Sequence, residues 1–170
     1  MKSNNIFEYN CNLNFQKKLN KSKKHSIYSI IIGIILLSIA IVNGINSNDK
    51  VFLISSLLFP IFLVGFYIYS SVFIKAETYS NVITNISFEN KFVNIKTSSF
   101  SIARITIQKS KRIKSTFKIS KINTSDYLYL DNDKYCYMFL NEKHTFFLYP
   151  SYFNKELESL ISETIKDKTI

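Results

Sequence analysis

The sequence has few of the residues from which catalytic and metal sites are usually built. Of its 170 residues, only two are cysteine, two are histidine and three are glycine. His25 and His144 lie far apart, and neither has a cysteine or a second histidine near enough in sequence to share a metal ion. No glycine-rich phosphate loop, nucleophile-elbow motif or paired-carboxylate motif occurs. We therefore expect a protein that is not an enzyme and that holds no cofactor or metal.

Charged residues are missing from two long apolar runs, residues 27–42 and 51–74, which a polar turn separates. With its flanks, each run approaches or exceeds the roughly 20 residues that cross the apolar layer of a bilayer as a helix. Neither run has the polar stripe of a soluble amphipathic helix. We predict a transmembrane hairpin at residues 26–74, with its first helix at about 26–43 and its second at about 51–74. A buried core hairpin of a soluble protein is the alternative.

Basic residues beside this hairpin set its expected orientation. Five lysines lie at residues 17–24 and Lys75 follows the second run, whereas the turn has a single lysine next to an aspartate. Because Lys and Arg near membrane helices favour the cytoplasmic side, we predict a multi-pass protein of the cytoplasmic (cell) membrane with both termini in the cytoplasm. Cys11 and Cys136 would then be reduced thiols. The five lysines could serve only this orientation, with their ammonium groups at anionic headgroups, or could form a specific ligand site.

The hairpin also limits the function. Neither apolar run contains a charged side chain, and this absence argues against a self-contained transporter. A pore would require a homo-oligomer, because two helices alone leave little room for one. Pro60 lies inside the second run, where it is expected to kink the helix. Gly33, Ser38 and Ala40 could permit close helix contact, which leaves open a second class of function, a small membrane immunity or stress-response protein acting through its hairpin.

The residues outside the hairpin alternate between apolar and polar side chains, as half-buried strands do. Phe7 to Phe15 has this alternation, and Asn12 or Asn14 could cap a helix that follows it. After Tyr79 a similar pattern recurs in short segments. We predict strands at residues 82–89, 92–97, 100–108, 116–122, 126–130, 135–140 and 145–149, with a polar break at 109–114.

Apolar residues at helical spacing return near the end of the sequence. Pro150 stops the last predicted strand, and Ser151 is the expected cap of a helix over residues 151–165. Strands followed by a single helix are typical of α+β domains. We therefore predict a cytoplasmic domain at residues 79–170, in which the helix closes one end of a bent antiparallel sheet. The strand and basic helix start at residues 1–25 would join this domain.

Three short stretches of the sequence are typical of a known architecture. They are Ile6-Phe7-Glu8-Tyr9 leading to Phe15, Ile119-Ser120-Lys121-Ile122 followed by Asp126-Tyr127-Leu128-Tyr129-Leu130, and Phe146-Phe147-Leu148-Tyr149-Pro150-Ser151-Tyr152-Phe153. With the hairpin between them, they resemble the bacterial YcxB-like membrane proteins. The resemblance implies that the domain after the hairpin is pleckstrin-homology-like (PH-like), an antiparallel β-sheet or barrel capped by a C-terminal α-helix. The family has no established activity, so the resemblance implies an architecture rather than a function.

The stretch from residue 90 to residue 125 is strongly basic and has no Asp or Glu. A basic loop near the cytoplasmic leaflet would attract anionic lipid within a Debye length of about 8–10 Å. We expect anionic lipid headgroups or a partner protein to contact six side chains, those of Lys109, Lys111, Arg112, Lys114, Lys118 and Lys121. The alternative is an ordinary solvated face. Nucleic acid is not an expected partner, because no recognised nucleic-acid-binding motif accompanies the cluster.

These features predict a membrane-anchored, non-enzymatic binding or adaptor protein. The lipid bilayer would hold its hairpin, and a cytoplasmic PH-like domain would be presented to a membrane or cytoplasmic protein or to anionic lipid headgroups. Tethering of this kind raises the concentration of a domain near partners in the same membrane.

Overall fold

Two long apolar helices and several antiparallel sheets make up the chain, so the predicted α+β class is confirmed. The computed structural model describes residues 7–46, 50–89, 91–124 and 133–166. A short strand, β1 (Phe7–Asn10), leads into a helix of 33 residues, α1 (Leu13–Ile45). Asn12, one of the two predicted candidates, is the N-cap of α1, because its side-chain oxygen accepts a hydrogen bond from the Asn14 N–H at 3.0 Å.

The second long helix runs back along the first. It begins as α2 (Lys50–Ile68), widens into π-helical turns at Tyr69–Ile74 and continues as α3 (Lys75–Ser80). Pro60 lies inside α2, where it has no N–H to donate to the helix. The chain therefore passes from the apolar hairpin to the strands without an intervening loop.

Apolar side chains cover the outside of this helical hairpin. Two helical stretches, Leu13–Ile45 and Leu58–Ser80, are long and apolar enough, by length and composition, to cross a membrane. Their outward side chains are exposed rather than packed, and those of Leu58, Phe62 and Phe66 are 62%, 72% and 64% exposed. Soluble monomers rarely leave a contiguous apolar surface of more than a few hundred Å² in water. The described part of the chain does not itself cover this surface.

Small residues of α1 form the contact between the two long helices. They share one buried side of α1 and are Ser22, Ser26, Ser29 and Gly33. The Ser26 hydroxyl donates a hydrogen bond to the Ser71 carbonyl oxygen at 2.6 Å, which joins the two helices at one level. A Cβ atom at Gly33 would lie 2.9 Å from a methyl group of Val64, closer than ordinary van der Waals contact. Only glycine therefore fits at this approach without a shift of the Val64 side chain or of the neighbouring helix.

The strands form two sheets and a separate hairpin. They are β2 (Ile83–Glu89), β3 (Phe92–Thr97), β4 (Phe100–Ile102), β5 (Ile105–Gln108), β6 (Arg112–Ser115), β7 (Lys118–Asn123), β8 (Tyr135–Leu140) and β9 (Thr145–Leu148). A four-stranded antiparallel sheet has the order β1-β2-β3-β6, and a three-stranded one has the order β7-β8-β9. β4 and β5 form the hairpin, and a parallel bridge between Val82 and Phe147 joins the two sheets. The N-terminal strand thus belongs to the same sheet as strands that follow the helices.

One predicted strand is wrong, and the polar break predicted after it is shorter than expected. The stretch 100–108 is not one strand, because the chain turns at Ala103, where φ is 54°, and returns as β5. Two-residue hairpin turns need positive φ, and alanine gives no sequence signal for it, unlike glycine or asparagine. The predicted polar break at 109–114 contains the start of β6, whose Arg112 and Lys114 are exposed while Ile113 packs against the core.

The last helix begins later than predicted. Pro150–Tyr152 forms one 3₁₀ turn, and α4 (Lys155–Lys166) follows it. Asn154 rather than Ser151 caps α4, because the Asn154 side chain accepts a hydrogen bond from the Leu157 N–H at 3.2 Å. The predicted strand at 126–130 lies outside the described residues.

The three-stranded sheet separates two apolar cores. The helix-side core consists of Phe15, Ala76, Tyr79, Val82, Phe100, Cys136, Phe147, Tyr149 and Tyr152. The sheet-side core consists of Ile83, Ile86, Ile95, Phe117, Tyr137, Phe139, Phe146, Leu148, Leu157 and Ile161. Because successive side chains of a strand point to opposite faces, β9 supplies Phe147 to the first core and Phe146 to the second.

The long helices end inside the helix-side core. Phe15 of α1 is 1% exposed, and its ring centre lies 5.0 Å from that of Tyr152 and 6.1 Å from that of Tyr79. Tyr79 belongs to α3, and its ring stacks on Phe100 with 5.9 Å between the centres. The segments before and after the hairpin are therefore fixed to each other by packed aromatic rings.

Phe15→Ala should destabilise the sheets as well as the helices. Removing a buried phenylalanine side chain costs about 3–5 kcal/mol, and this ring touches side chains from two other elements. Leu13→Ala is the matched control, because Leu13 is 71% exposed and its loss should change stability by no more than about 0.5 kcal/mol. Near-ultraviolet circular dichroism of the full chain in detergent micelles would follow thermal unfolding. Equal unfolding temperatures for the two variants would contradict the described packing.

Gly33→Leu should weaken the contact between the two long helices. Extra atoms forced into a packed contact cost about 1–3 kcal/mol. Gly65→Leu is the matched control, since no atom lies within 4 Å of a Cβ placed there. Thermal unfolding followed by far-ultraviolet circular dichroism in micelles would compare the two. A larger loss of stability in Gly65→Leu than in Gly33→Leu would show that the helices do not pack through Gly33.

Candidate functional site

The structure distributes the six predicted basic residues over three places. Arg112 and Lys114 lie on β6, at the edge of the four-stranded sheet. Lys96 of β3 is directly opposite Arg112, so both side chains project from the same face of the sheet. The Lys114 ammonium group is paired with the Glu89 carboxylate and lies 5.8 Å from the centre of the Phe92 ring. This ion pair reduces the positive charge that Lys114 offers to a ligand.

Lys109 and Lys111 belong to the connection between β5 and β6. The Lys111 N–H donates a hydrogen bond to the Thr97 hydroxyl at 2.8 Å, and the Thr97 N–H donates one to the Lys111 carbonyl oxygen at 2.9 Å. The Ser110 hydroxyl also donates to the Thr97 carbonyl oxygen. The connection is therefore held against the end of β3, with the Lys109 side chain exposed and that of Lys111 half-buried.

Lys118 and Lys121 lie on β7 but project from opposite faces of the three-stranded sheet, because they are three residues apart in one strand. The Lys121 ammonium group is 3.6 Å from the centre of the Tyr135 ring, a close cation–π contact. The Tyr135 hydroxyl in turn donates a hydrogen bond to the Glu158 carboxylate of α4. Lys121 thus has a structural contact on the α4 side, whereas Lys118 is exposed on the other face.

The Glu158 carboxylate changes the acidity of Tyr135. The hydrogen bond from the Tyr135 hydroxyl is the main cause that raises the pKa of this group from 10 to about 12. Burial and the negative charge of Glu158 act in the same direction, because each disfavours the phenolate. Lys121, Tyr135 and Glu158 therefore form a chain of contacts that fastens α4 to the three-stranded sheet.

Three other lysines share one side of α1. Lys17, Lys21 and Lys24 are exposed, and we call them the lysine stripe. At about 100° per residue, they lie on the side of the helix opposite Phe15 and Ser26. Their spacing is visible in the sequence, but their common direction could be recognised only once the buried side of α1 was known. The structure therefore supplies a coherent basic surface outside the six predicted residues.

A hollow of about 560 Å³ lies between the adjoining ends of β2 and β3, the start of β7 and α4, and we call it the β7 groove. Its lining includes apolar side chains and one cation, in particular Phe88, Lys91, Phe117, Ile119, Leu160 and Thr164. Sequence reasoning did not find this groove. Its walls come from three separate parts of the chain, and α4 meets the other two because Leu157 and Ile161 pack into the sheet-side core.

Cys11, Cys136 and His144 pack against apolar or aromatic side chains. Cys11 and Cys136 are free thiols, and burial raises the pKa of both, that of Cys136 to about 11. A raised pKa disfavours the thiolate, which is the nucleophilic form of cysteine. The His144 ring stacks on Phe146 between β8 and β9, with 5.8 Å between ring centres. Within the described ranges, no group of three or more His, Cys, Asp or Glu side chains is placed to hold a metal ion.

Comparison of the chain with protein-family models, curated proteins and solved structures gives no match. The YcxB-like resemblance and the PH-like fold therefore stay predictions. The function has to be argued from the geometry of this chain alone.

Tyr135→Phe should loosen α4 at neutral pH and have less effect in strong alkali. Loss of the hydrogen bond to Glu158 should cost on the order of 1 kcal/mol. Because the pKa of folded Tyr135 lies above its ordinary value, the contribution is complete below pH 10 and is lost as the pH rises toward 12. Urea unfolding of both proteins in micelles, at several pH values across this window, would measure the difference.

Glu158→Gln is the control for this titration. It keeps a hydrogen-bond acceptor but removes the negative charge, so the pKa of Tyr135 should move back toward its ordinary value. The alkaline loss of stability should then begin at lower pH. A gap between Tyr135→Phe and the unchanged protein that stays constant up to pH 12 would contradict the assigned contact.

Proposed function

We propose that this chain is a membrane-anchored, non-enzymatic binding protein. In this proposal α1 and α2 cross the cytoplasmic membrane as a hairpin, and both chain ends lie in the cytoplasm. The sheets and α4 form a PH-like domain that is presented at the membrane surface to a protein partner or to anionic lipid headgroups. The observation that carries the proposal is that both apolar helices run without a break into the helix-side core, where they pack against the three-stranded sheet.

The lengths of the two helices support a hairpin that spans a membrane. Ser26 and Ser71 mark one level of the hairpin, because a hydrogen bond joins them. From Ser26 to Ile45, α1 rises about 28 Å, and from Lys50 to Ser71 the second helix rises about 30 Å. The apolar layer of a bilayer is also about 30 Å thick. Insertion would remove the exposed apolar side chains of both helices from water.

The lysine stripe supports the proposed orientation. Measured along α1 from Ser26 toward the sheets, Lys24 lies at about 3 Å and Lys17 at about 13 Å. These ammonium groups would therefore meet the headgroup layer of the leaflet beside the sheets. Each lysine near an anionic leaflet contributes on the order of 1 kcal/mol. The turn at the other end of the hairpin has only Lys50, so the charge difference favours a cytoplasmic location for the sheets.

The arrangement of the sheets supports a PH-like domain. A four-stranded and a three-stranded antiparallel sheet share the sheet-side core, and α4 covers that core with Leu157 and Ile161. Strands followed by one C-terminal helix are the order that the resemblance implies. The strand beside β2 is β1, which comes from the segment before the hairpin. A domain of this kind would be completed only when both ends of the hairpin are in place.

Close attachment to the membrane supports a role in presentation. Because Phe15 and Tyr79 are packed in the helix-side core, the sheets cannot move far from the base of the hairpin. A partner in the same membrane would therefore meet the domain at a high effective concentration. The exposed pair Lys96 and Arg112 and the β7 groove give such a partner both a basic and an apolar surface.

A function carried by the hairpin alone has less support. Gly33, which prompted that alternative, packs against Val64 and Ile68 of the same chain. The Ser38 hydroxyl donates a hydrogen bond to the Ile34 carbonyl oxygen at 2.9 Å, within its own helix. Gly33 is therefore occupied by a contact within the hairpin, whereas Ser38 is exposed on the outside of α1.

Site-directed labelling would test the proposed anchoring. Asn46→Cys, at the far end of α1, and Glu142→Cys, between β8 and β9, each add one exposed thiol to a Cys11→Ala, Cys136→Ala background. In right-side-out membrane vesicles, a membrane-impermeant maleimide should label Asn46→Cys. It should label Glu142→Cys only after detergent is added, because the sheets would lie inside.

The same vesicles give the control for insertion. Alkaline carbonate should leave the full chain in the membrane pellet, as expected for a hairpin held by the apolar layer. Release of the chain by carbonate, or equal labelling of both thiols before detergent is added, would overturn the anchoring part of the proposal.

A further inference from the structure

One edge of the three-stranded sheet is open among the described residues. β7 is the outer strand of the order β7-β8-β9. The Thr124 N–H donates to the Lys134 carbonyl oxygen at 3.4 Å, so Thr124 faces β8. Main-chain groups alternate in direction along an antiparallel strand, so those of Lys118, Ser120 and Ile122 also face β8. The N–H and C=O groups of Ile119, Lys121 and Asn123 therefore point away from the sheet.

The β7 groove lies beside this open edge. Phe117 and Ile119 form its wall on the β7 side, and Leu160 and Thr164 form its wall on α4. The adjoining ends of β2 and β3 close it with Phe88, Lys91, Phe92 and Val93. An extended chain placed along β7 would therefore have apolar side chains next to it on one face. Its main chain would meet the outward N–H and C=O groups of β7. Strand addition of this kind uses main-chain hydrogen bonds for affinity and side-chain pockets for specificity.

The charges of β7 select the kind of chain that could be added. Lys118 and Lys121 lie on the edge strand, and residues 91–124 contain no Asp or Glu. Lysines on an edge strand oppose pairing with a second copy, because like charges would come to lie close together. An acidic chain would relieve the same repulsion. The groove is lined mainly by apolar side chains, and its one cation, Lys91, is offset by Glu163, which is exposed on α4 next to Thr164. Apolar side chains should therefore enter the groove, and the acidic side chains should lie on the Lys118 face.

We propose that β7 and the β7 groove bind an extended segment of a partner protein as a fourth strand of the sheet. Successive side chains of an added strand point to opposite faces. Those on one face would enter the groove beside Ile119 and Leu160, and those on the other would lie beside Lys118. The segment should therefore alternate between apolar and acidic residues. This inference rests on the proposed function as a binding module, and it names the class of partner.

Peptide binding to the full chain would test the inference. The chain would be held in nanodiscs of neutral lipid, so that the sheets keep their attachment to the helices. The probe is a fluorescein-labelled eight-residue peptide in which aspartate alternates with valine, and a second peptide has lysine in place of aspartate. Fluorescence anisotropy should show binding of the aspartate peptide and at least tenfold weaker binding of the lysine peptide.

A matched pair of variants separates the contribution of the outward N–H of residue 121 from that of the Lys121 side chain. Lys121→Pro and Lys121→Ala both remove the contact with Tyr135, but only proline also removes the outward N–H. Because that N–H lies outside the pairing with β8, both variants should unfold at similar temperatures. Lys121→Pro should bind the aspartate peptide at least tenfold more weakly than Lys121→Ala does.

Two further substitutions test the charge. Lys118→Glu should reverse the preference, so that the lysine peptide binds more tightly than the aspartate peptide. Lys143→Glu, which changes an exposed lysine between β8 and β9 by the same charge, should leave the preference unchanged. An equal effect of the two changes would show that net charge, not the β7 edge, controls binding.

Other outcomes would overturn the inference. Equal affinity of Lys121→Pro and Lys121→Ala would exclude strand addition at β7. If neither peptide binds and anionic vesicles bind instead, the partner class is lipid rather than an extended protein segment. These results would leave the anchoring by the hairpin intact, because maleimide labelling and carbonate extraction measure it separately.

Discussion

Burial of the Phe15 ring holds together the parts of this chain that lie far apart in sequence. The ring sits at the base of α1 and contacts Tyr79, where the second helix ends, and Tyr152, which follows the last strand. Each of these residues is 5% exposed or less. The apolar hairpin is therefore not a separate anchor on a flexible tether. Its two helices and the two sheets share one apolar core and form a single packed structure.

The three-stranded sheet makes the packing of the helical hairpin and the packing of the sheets depend on each other. One of its faces packs on the helices and the other packs on α4 and the four-stranded sheet. If the helices were removed, Phe147 of β9 and Tyr149, which follows it, would face water on one side while Phe146 and Leu148 stayed buried on the other. A domain cut from the chain at residue 79 would also lack β1 and Phe15. The Lys96–Arg112 pair and the β7 groove thus depend on the packing of the whole chain, although both lie outside the hairpin.

The sequence was sufficient wherever a local pattern decides the structure. The apolar runs and the strands Phe92–Thr97 and Tyr135–Leu140 follow from patterns within a few residues, and the same kind of pattern narrowed the cap of α1 to Asn12 or Asn14. The turn at Ala103 did not, because alanine carries no turn signal although it adopts positive φ here. The distribution of the basic residues was only partly accessible from the sequence. Strand alternation already separates Lys118 from Lys121, but the pairing of Lys96 with Arg112 depends on the register between β3 and β6.

The π-helical turns at Tyr69–Ile74 keep one side of the second helix in phase from Val64 to Ala76. Its inward residues recur at every fourth position, and they are Val64, Ile68, Val72 and Ala76. In a regular α-helix each such step exceeds a full turn by about 40°, so three steps would carry this side about 120° around the axis. The wider turns absorb about one residue, or about 100°, and cancel most of that drift. The second helix can therefore face α1 at Val64 and Ile68 and still direct Tyr79, near its end, toward Phe15.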